Sequence, residues 1–158
     1  MAGDLFYKVG TIATLSSSES SLATDVGVAA ATNLDTRSGG TSGAVENMLF
    51  RAELTCQWAT ITSIDPGETV AEFYLVPALD GTNFPGVKTT SVAFVSSTYL
   101  AGYFVCSVAP SANTDAIHST AVFSVPPGLY KPYVVNRSGQ TISSSWTLKV
   151  MSWRGQYS

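Results

Sequence analysis

The sequence predicts an all-β protein, an antiparallel β-sandwich or barrel of about eight short strands with an extended N-terminal arm. Three observations lead there. Apolar and polar residues alternate with a period of two in the clearest runs. Turn residues punctuate the chain between them, and no stretch carries the 3.6-residue apolar stripe of a helix.

The first strand-like run, LFYKVGTIATL, spans Leu5 to Leu15. The segment after it, SSSESSLATDVGVAAATNLDTRSGGTSGA, is built of small side chains with little area to bury. It is expected as an arm or loop with one short strand around Val26 to Ala30. From Val45 the texture changes. In MLFRAELTCQWATITSI, Met48, Phe50, Ala52, Leu54, Cys56 and Trp58 alternate with Leu49, Arg51, Glu53, Thr55, Gln57 and Ala59. That is the pattern of a strand with one buried face.

Asp65-Pro66-Gly67 marks a tight turn, because proline presets φ and glycine accepts a positive one. The return run TVAEFYLV places Ala71, Phe73 and Leu75 on one face and Val70, Glu72, Tyr74 and Val76 on the other. The two runs are expected to pair as a hairpin. Further strands are expected at Ser91 to Val95 and in LAGYFVCSVA, AIHSTAVFSV, LYKPYVVNRS and SSWTLKVMSW. Pro126-Pro127-Gly128 and Arg137-Ser138-Gly139-Gln140 punctuate the later ones. In the last run Trp146, Leu148 and Val150 alternate with Thr147, Lys149 and Met151. Pro77 and Pro132 lack a ladder N–H and are expected at strand ends or edges. Residues 1–44 thus read as a strand and flexible arm, and residues 45–158 as the sandwich, in one domain overall.

Charged residues make up only 12% of the chain, about half the usual share. A monomer of this size exposes roughly 7,600 Å², so each charge serves about 400 Å², the size of the largest tolerable apolar patch. Sparse charge of this kind favours self-association or docking on a larger surface. The net charge of −3, with scattered Lys and Arg, excludes an electrostatic grip on nucleic acid or an anionic membrane. No apolar run reaches the ~20 residues of a membrane-spanning helix. The opening MAGDLFYKVG lacks the basic-then-apolar order of a signal peptide, so synthesis in the cytoplasm is expected. Cys56 and Cys106 are expected as buried reduced thiols, with a disulfide as the alternative.

Motifs for chemistry are sparse. His118, the single histidine, falls on the face of Ala116 and Thr120, opposite Ile117, and is expected at the surface or an interface. No Gly-x-Ser-x-Gly elbow accompanies it. The acids are not spaced as a calcium loop, no cofactor fingerprint appears, and no metal or cofactor is expected. A carboxylate pair assembled from distant strands stays open as a minor enzymatic alternative. Asn136-Arg137-Ser138 has the form of a glycosylation acceptor but is read as a turn. Tyr99, Tyr103, Tyr130, Tyr133, Trp153 and Tyr157 offer a sugar-stacking platform, against the plainer reading of core and interface packing.

Two stretches carry a family resemblance. Val76-Pro77-Ala78-Leu79-Asp80-Gly81-Thr82-Asn83-Phe84 resembles a Leu-Pro-x-Leu-Asp-Gly-Thr-Asn-aromatic loop, and Val125-Pro126-Pro127-Gly128-Leu129-Tyr130-Lys131 resembles a Leu-Pro-Pro-Gly-x-Tyr/Phe-Lys turn. Both patterns are similar to those of decoration, or cement, proteins of tailed bacteriophages, with Val in place of Leu at positions 76 and 125. The resemblance implies a jelly-roll-like sandwich on the exterior of an icosahedral head in the virion. It implies a non-enzymatic protein, often a homotrimer, that bridges subunits of the major capsid protein. Asp80 and Asn83 read as turn formers. The resulting expectation is that Leu5, Phe6, Tyr7, Asp80, Thr82, Asn83 and Phe84 contact a neighbouring subunit or the capsid. The alternative is a receptor- or carbohydrate-binding module of a tail fibre or spike.

Overall fold

The computed structural model describes residues 5–16, 19–37, 48–62, 64–85 and 97–157. They form ten strands and no α-helix: β1 (Leu5–Ser16), β2 (Gly27–Ala29), β3 (Leu34–Asp35), β4 (Met48–Cys56), β5 (Thr69–Pro77), β6 (Leu100–Val105), β7 (Ala116–Ser119), β8 (Phe123–Ser124), β9 (Leu129–Asn136) and β10 (Thr147–Tyr157). The strands make one curled antiparallel sheet in the order β1-β10-β4-β7-β6-β5-β9-β2. β3 adds to β9, and β8 adds to β4. The expected all-β, sandwich-like, jelly-roll-like architecture is what the chain adopts. The strand expected at Ser91 to Val95 lies outside the described residues.

Alternation decides which side of each strand is dry. Phe50, Ala52, Leu54, Cys56 and Trp58 are buried, as are Trp146, Leu148 and Val150 on β10. The sheet divides at the β7–β6 junction, where Val105 opposite Ser119 is the single register pair among the described residues. Its two halves share one core. A file of phenylalanines crosses that core: Phe50 stacks on Phe123 at 5.9 Å, Phe123 meets Phe73 at 5.8 Å, and Phe73 meets Phe104 at 5.7 Å. Each fully buried ring contributes about 1.5–3 kcal/mol relative to exposure.

The expected β4–β5 hairpin does not form. β4 pairs with β10, β7 and β8, whereas β5 pairs with β6 and β9. The turn itself is present, with Glu68 N–H donating to the Asp65 carbonyl at 3.1 Å and Gly67 at φ 95°. A tight turn reverses the chain without choosing the next edge. Here it passes the chain from one half of the sheet to the other. β5 could not be a half-exposed hairpin arm, because Val70, Tyr74 and Val76 on its second face are buried too.

Residues 19–37 are built into the same body rather than standing clear of it. Leu22, Ala30 and Leu34 lie in the shared core, and β2 and β3 pair with β9. Small residues are used here for close approach: a Cβ on Gly27 would sit 2.3 Å from the Tyr133 ring. Trp146 ties the segment down by donating its indole N–H to the Ser20 carbonyl at 2.9 Å.

Pro77 ends β5 as expected, but Pro132 lies within β9, paired opposite Leu75. Its carbonyl accepts from Ala30 N–H at 2.9 Å. The N–H and C=O of a strand residue point to the same side. The missing N–H of Pro132 therefore faces the gap between β2 and β3, where no ladder partner is needed.

Candidate functional site

The two motif-bearing stretches form one corner of the molecule. β5 runs into the first and β9 runs out of the second, and the strands pair as Val76 with Lys131 and Pro77 with Tyr130. The corner is closed by Ala78 N–H donating to the Leu129 carbonyl at 2.8 Å. On the β9 side, Thr36 Oγ1 accepts from Gly128 N–H at 2.9 Å, and Tyr130 donates its hydroxyl to the Pro126 carbonyl at 2.6 Å.

On the β5 side the loop organises around Asp80. Its carboxylate accepts from Thr82 N–H at 2.9 Å, Asn83 N–H at 2.6 Å and the Asn83 side-chain amide at 2.6 Å. These donors, those of Asn83 foremost, hold the Asp80 carboxyl down at about 2. Gly81 takes φ 78° and donates to the Ala78 carbonyl at 3.0 Å. Asp80 and Asn83 are turn formers, as the sequence suggests. Asp80, Thr82 and Asn83 are exposed and Phe84 is half-buried.

Leu5, Phe6 and Tyr7 open β1, paired with Tyr157, Gln156 and Gly155 of β10. Their side chains lie outside the described residues. β1 occupies one end of the strand order and β5 sits five places along it. The topology thus puts the two sets of expected contact residues on different strands of different halves of the sheet.

His118 is not at the surface. It is 1% exposed, because the face it shares with Ala116 and Thr120 is the inward face of β7, and Ile117 points out instead. The ring stands edge-on to Trp58 with centroids 5.5 Å apart. Neither ring nitrogen has a hydrogen-bond partner. The backbone of Val105 lies near the ring, short of hydrogen-bond geometry, and its opposing effect is smaller than that of burial. Burial pushes the imidazole below its ordinary value, so the ring is held neutral.

Asn136 of the Asn136-Arg137-Ser138 triplet is fully buried at the end of β9. Its amide donates to the Leu22 carbonyl at 2.8 Å and the Gln140 carbonyl at 2.7 Å. Its oxygen accepts from Ser138 N–H at 2.9 Å and Ser138 Oγ at 2.7 Å. A glycan could not be attached there without dismantling this knot. Trp58 joins it by donating its indole N–H to Ser138 Oγ at 3.1 Å. Alongside, Arg137 bridges Asp25 at 2.7 Å and Glu72 at 2.9 Å, and Tyr74 donates to Glu72 at 2.9 Å. Burial and the Glu72 carboxylate push the Tyr74 phenol up to about 12.

Cys56 and Cys106 are buried free thiols, and burial pushes both thiols up. The Cys106 thiol donates to the Val108 carbonyl at 3.1 Å. Among the described residues no group of three or more His, Cys, Asp or Glu is arranged to hold a metal ion. Of the aromatic residues considered for sugar stacking, Tyr130 and Tyr133 are buried, whereas Tyr103 is exposed on β6.

A feature that sequence reasoning missed is an outward groove of about 310 Å³ across β1, β10, β4 and β7, where Ile12, Ile117, Met151 and Trp153 line it together with Arg51, Glu53, Ser119 and Lys149. The signal was present in Ile117, which alternation sets opposite His118. No protein-family model matches the chain, and no curated protein matches it.

Proposed function

We propose that the chain is a non-enzymatic virion structural protein of a tailed bacteriophage, which decorates the outside of the icosahedral head and bridges major capsid protein subunits. The observation that carries this reading is the meeting of the two resemblance-bearing loops in one hydrogen-bonded corner, with Ala78 N–H on the Leu129 carbonyl at 2.8 Å. Two motifs about fifty residues apart in sequence make a single exposed feature. That corner, with Asp80, Thr82, Asn83 and Phe84 at its tip, is the part of the molecule offered to the capsid. Self-association belongs to the same reading, with three copies the number the resemblance suggests.

Cement acts by linkage. A protein that binds only the assembled shell stabilises it by RT ln(1 + [L]/Kd) at each site, and many equivalent sites sum. The carbohydrate-binding alternative has less support, since two of its six candidate aromatics are buried. Cryo-EM of virions carrying this chain tests the proposal. Density for the sandwich on the head exterior is expected, and density confined to the tail would refute it.

A further inference from the structure

The outward face of the β1-β10-β4-β7 half carries large exposed apolar side chains beside its charges. Ile12 is 54% and Ile117 58% exposed, and Tyr103 and Val105 continue the patch on β6. Register places its charges in the middle. Lys149 of β10 lies directly opposite Glu53 of β4, and the same row continues through Ser119 of β7 to Val105 of β6. The next row runs Ile12, Met151, Arg51. The ion pairs among the described residues are Arg37–Asp35, Arg137–Asp25 and Arg137–Glu72. Glu53 and Lys149 are in none of them, although directly opposite strand residues are near neighbours.

We propose that this face packs against the same face of a second copy of the chain, about a two-fold axis lying in the interface and running along the strands between β10 and β4. Such an axis exchanges the two central strands. Glu53 of each copy then stands over Lys149 of the other, giving two symmetric ion pairs in a frame of apolar side chains. It also sets β1 of each copy over β7 of the other, with Ile12 and Ile117 on opposite sides of the charged row. An isologous contact of this kind requires a surface complementary to itself. Adjacent opposite charges flanked on both sides by apolar groups satisfy that requirement.

The overlapping strands, β10 with β4 and β1 with β7, at ~4.8 Å between strands and ~3.4 Å per residue, share a footprint of roughly 400 Å² in projection, the size of a weak, concentration-dependent contact. The contact holds or fails independently of capsid binding, and of the three-copy count that the resemblance supplies.

Charge reversal tests it. The wild-type chain, followed by sedimentation velocity over a concentration series, is expected to pair through this face, as two single chains or as two of the proposed trimers. Glu53→Lys and Lys149→Glu each set like charges opposite one another twice and should weaken association on the order of tenfold to a hundredfold. Mixed in equal amounts, the two variants should pair with each other, because one copy then carries both lysines and the other both glutamates. Leu79→Glu, at an exposed position on the β5 corner, should leave association unchanged, and circular dichroism should show every variant folded. A monomeric wild type would overturn the proposal. So would an oligomer of any size indifferent to both reversals, or a mixture that fails to recover pairing.

Discussion

His118 and Trp58 meet edge-to-face in the core, ring centroids 5.5 Å apart at 71°, with both imidazole nitrogens unbonded. A neutral imidazole is tolerated there and a charged one is not, which gives the fold an acid-sensitive point. With the folded pKa below the ordinary 6.5, the unfolded chain takes up the proton first as pH falls. The contribution is complete above about pH 6.5. It declines as pH drops below that value and levels off beneath the folded pKa. Urea unfolding at pH 7.5 and pH 5 should show this decline, and His118→Leu should remove that part of it. Because an unpartnered buried polar group costs about 1–3 kcal/mol, His118→Leu is expected to be neutral or stabilising at pH 7.5. A loss above 2 kcal/mol there would contradict this account.

Asn136 closes four hydrogen bonds with one side chain. Asn136→Ala leaves the Leu22 and Gln140 carbonyls without those donors, and the loss should be about 3 kcal/mol. For a domain of this size that lowers the midpoint of thermal unfolding by roughly 6–12 °C, readable by calorimetry. Expression in a glycosylating host should leave Asn136 unmodified, as mass spectrometry would report.

Asp80 organises its loop from an exposed position, so its replacement should act locally. Its pKa lies below the ordinary 3.8, at about 2. The stabilisation it gives is present above pH 3.8 and is lost as pH falls through about 2. An NMR titration of the carboxyl carbon should find that low midpoint, and Asn83→Ala should raise it. Gly81→Ala meets no neighbour within 4 Å, so its cost, about 1 kcal/mol, is the strain of a positive φ alone. Asp80→Ala should fold normally and occupy capsids less under the proposed function, as densitometry of purified particles would show.

Leu22 distinguishes an arm from a structural segment. Leu22→Ala should cost about 2–4 kcal/mol in chemical denaturation, since its side chain is buried in the shared core. Leu79→Ala, at 79% exposure, should change stability by less than about 0.5 kcal/mol. Equal effects at the two positions would return residues 19–37 to the status of a loose arm.

The faces of β4 and β10 were legible because each strand has one wet side and one dry side, and alternation reports that contrast directly. Pairing was less legible. The Asp65-Pro66-Gly67 turn says that the chain reverses, but not which strand edge it meets next, so closeness in sequence points to a β4–β5 pairing that the sheet does not make. Apolar residues on both faces of β5 were the available clue to a strand covered on two sides. Histidine carries no fixed preference for core or surface, and the polarity of AIHST runs against the burial that His118 has. Small residues at 19–37 suggest an arm, whereas Gly27 lies so close to the Tyr133 ring that a side chain there would have no room. The candidate loop was legible as a turn from Asp-Gly-Thr-Asn. Its junction with Pro126-Pro127-Gly128 was not, because that contact depends on long-range strand pairing.

The two enclosed thiols give the molecule an internal clock. Cys56 and Cys106 are shut away as poor nucleophiles, so an alkylating reagent must wait for the sheet to part before it can react. Cys106 follows β6 and Cys56 ends β4, with β7 between those strands. Their modification rates would therefore time the opening of the junction between the two halves, one cysteine from each side.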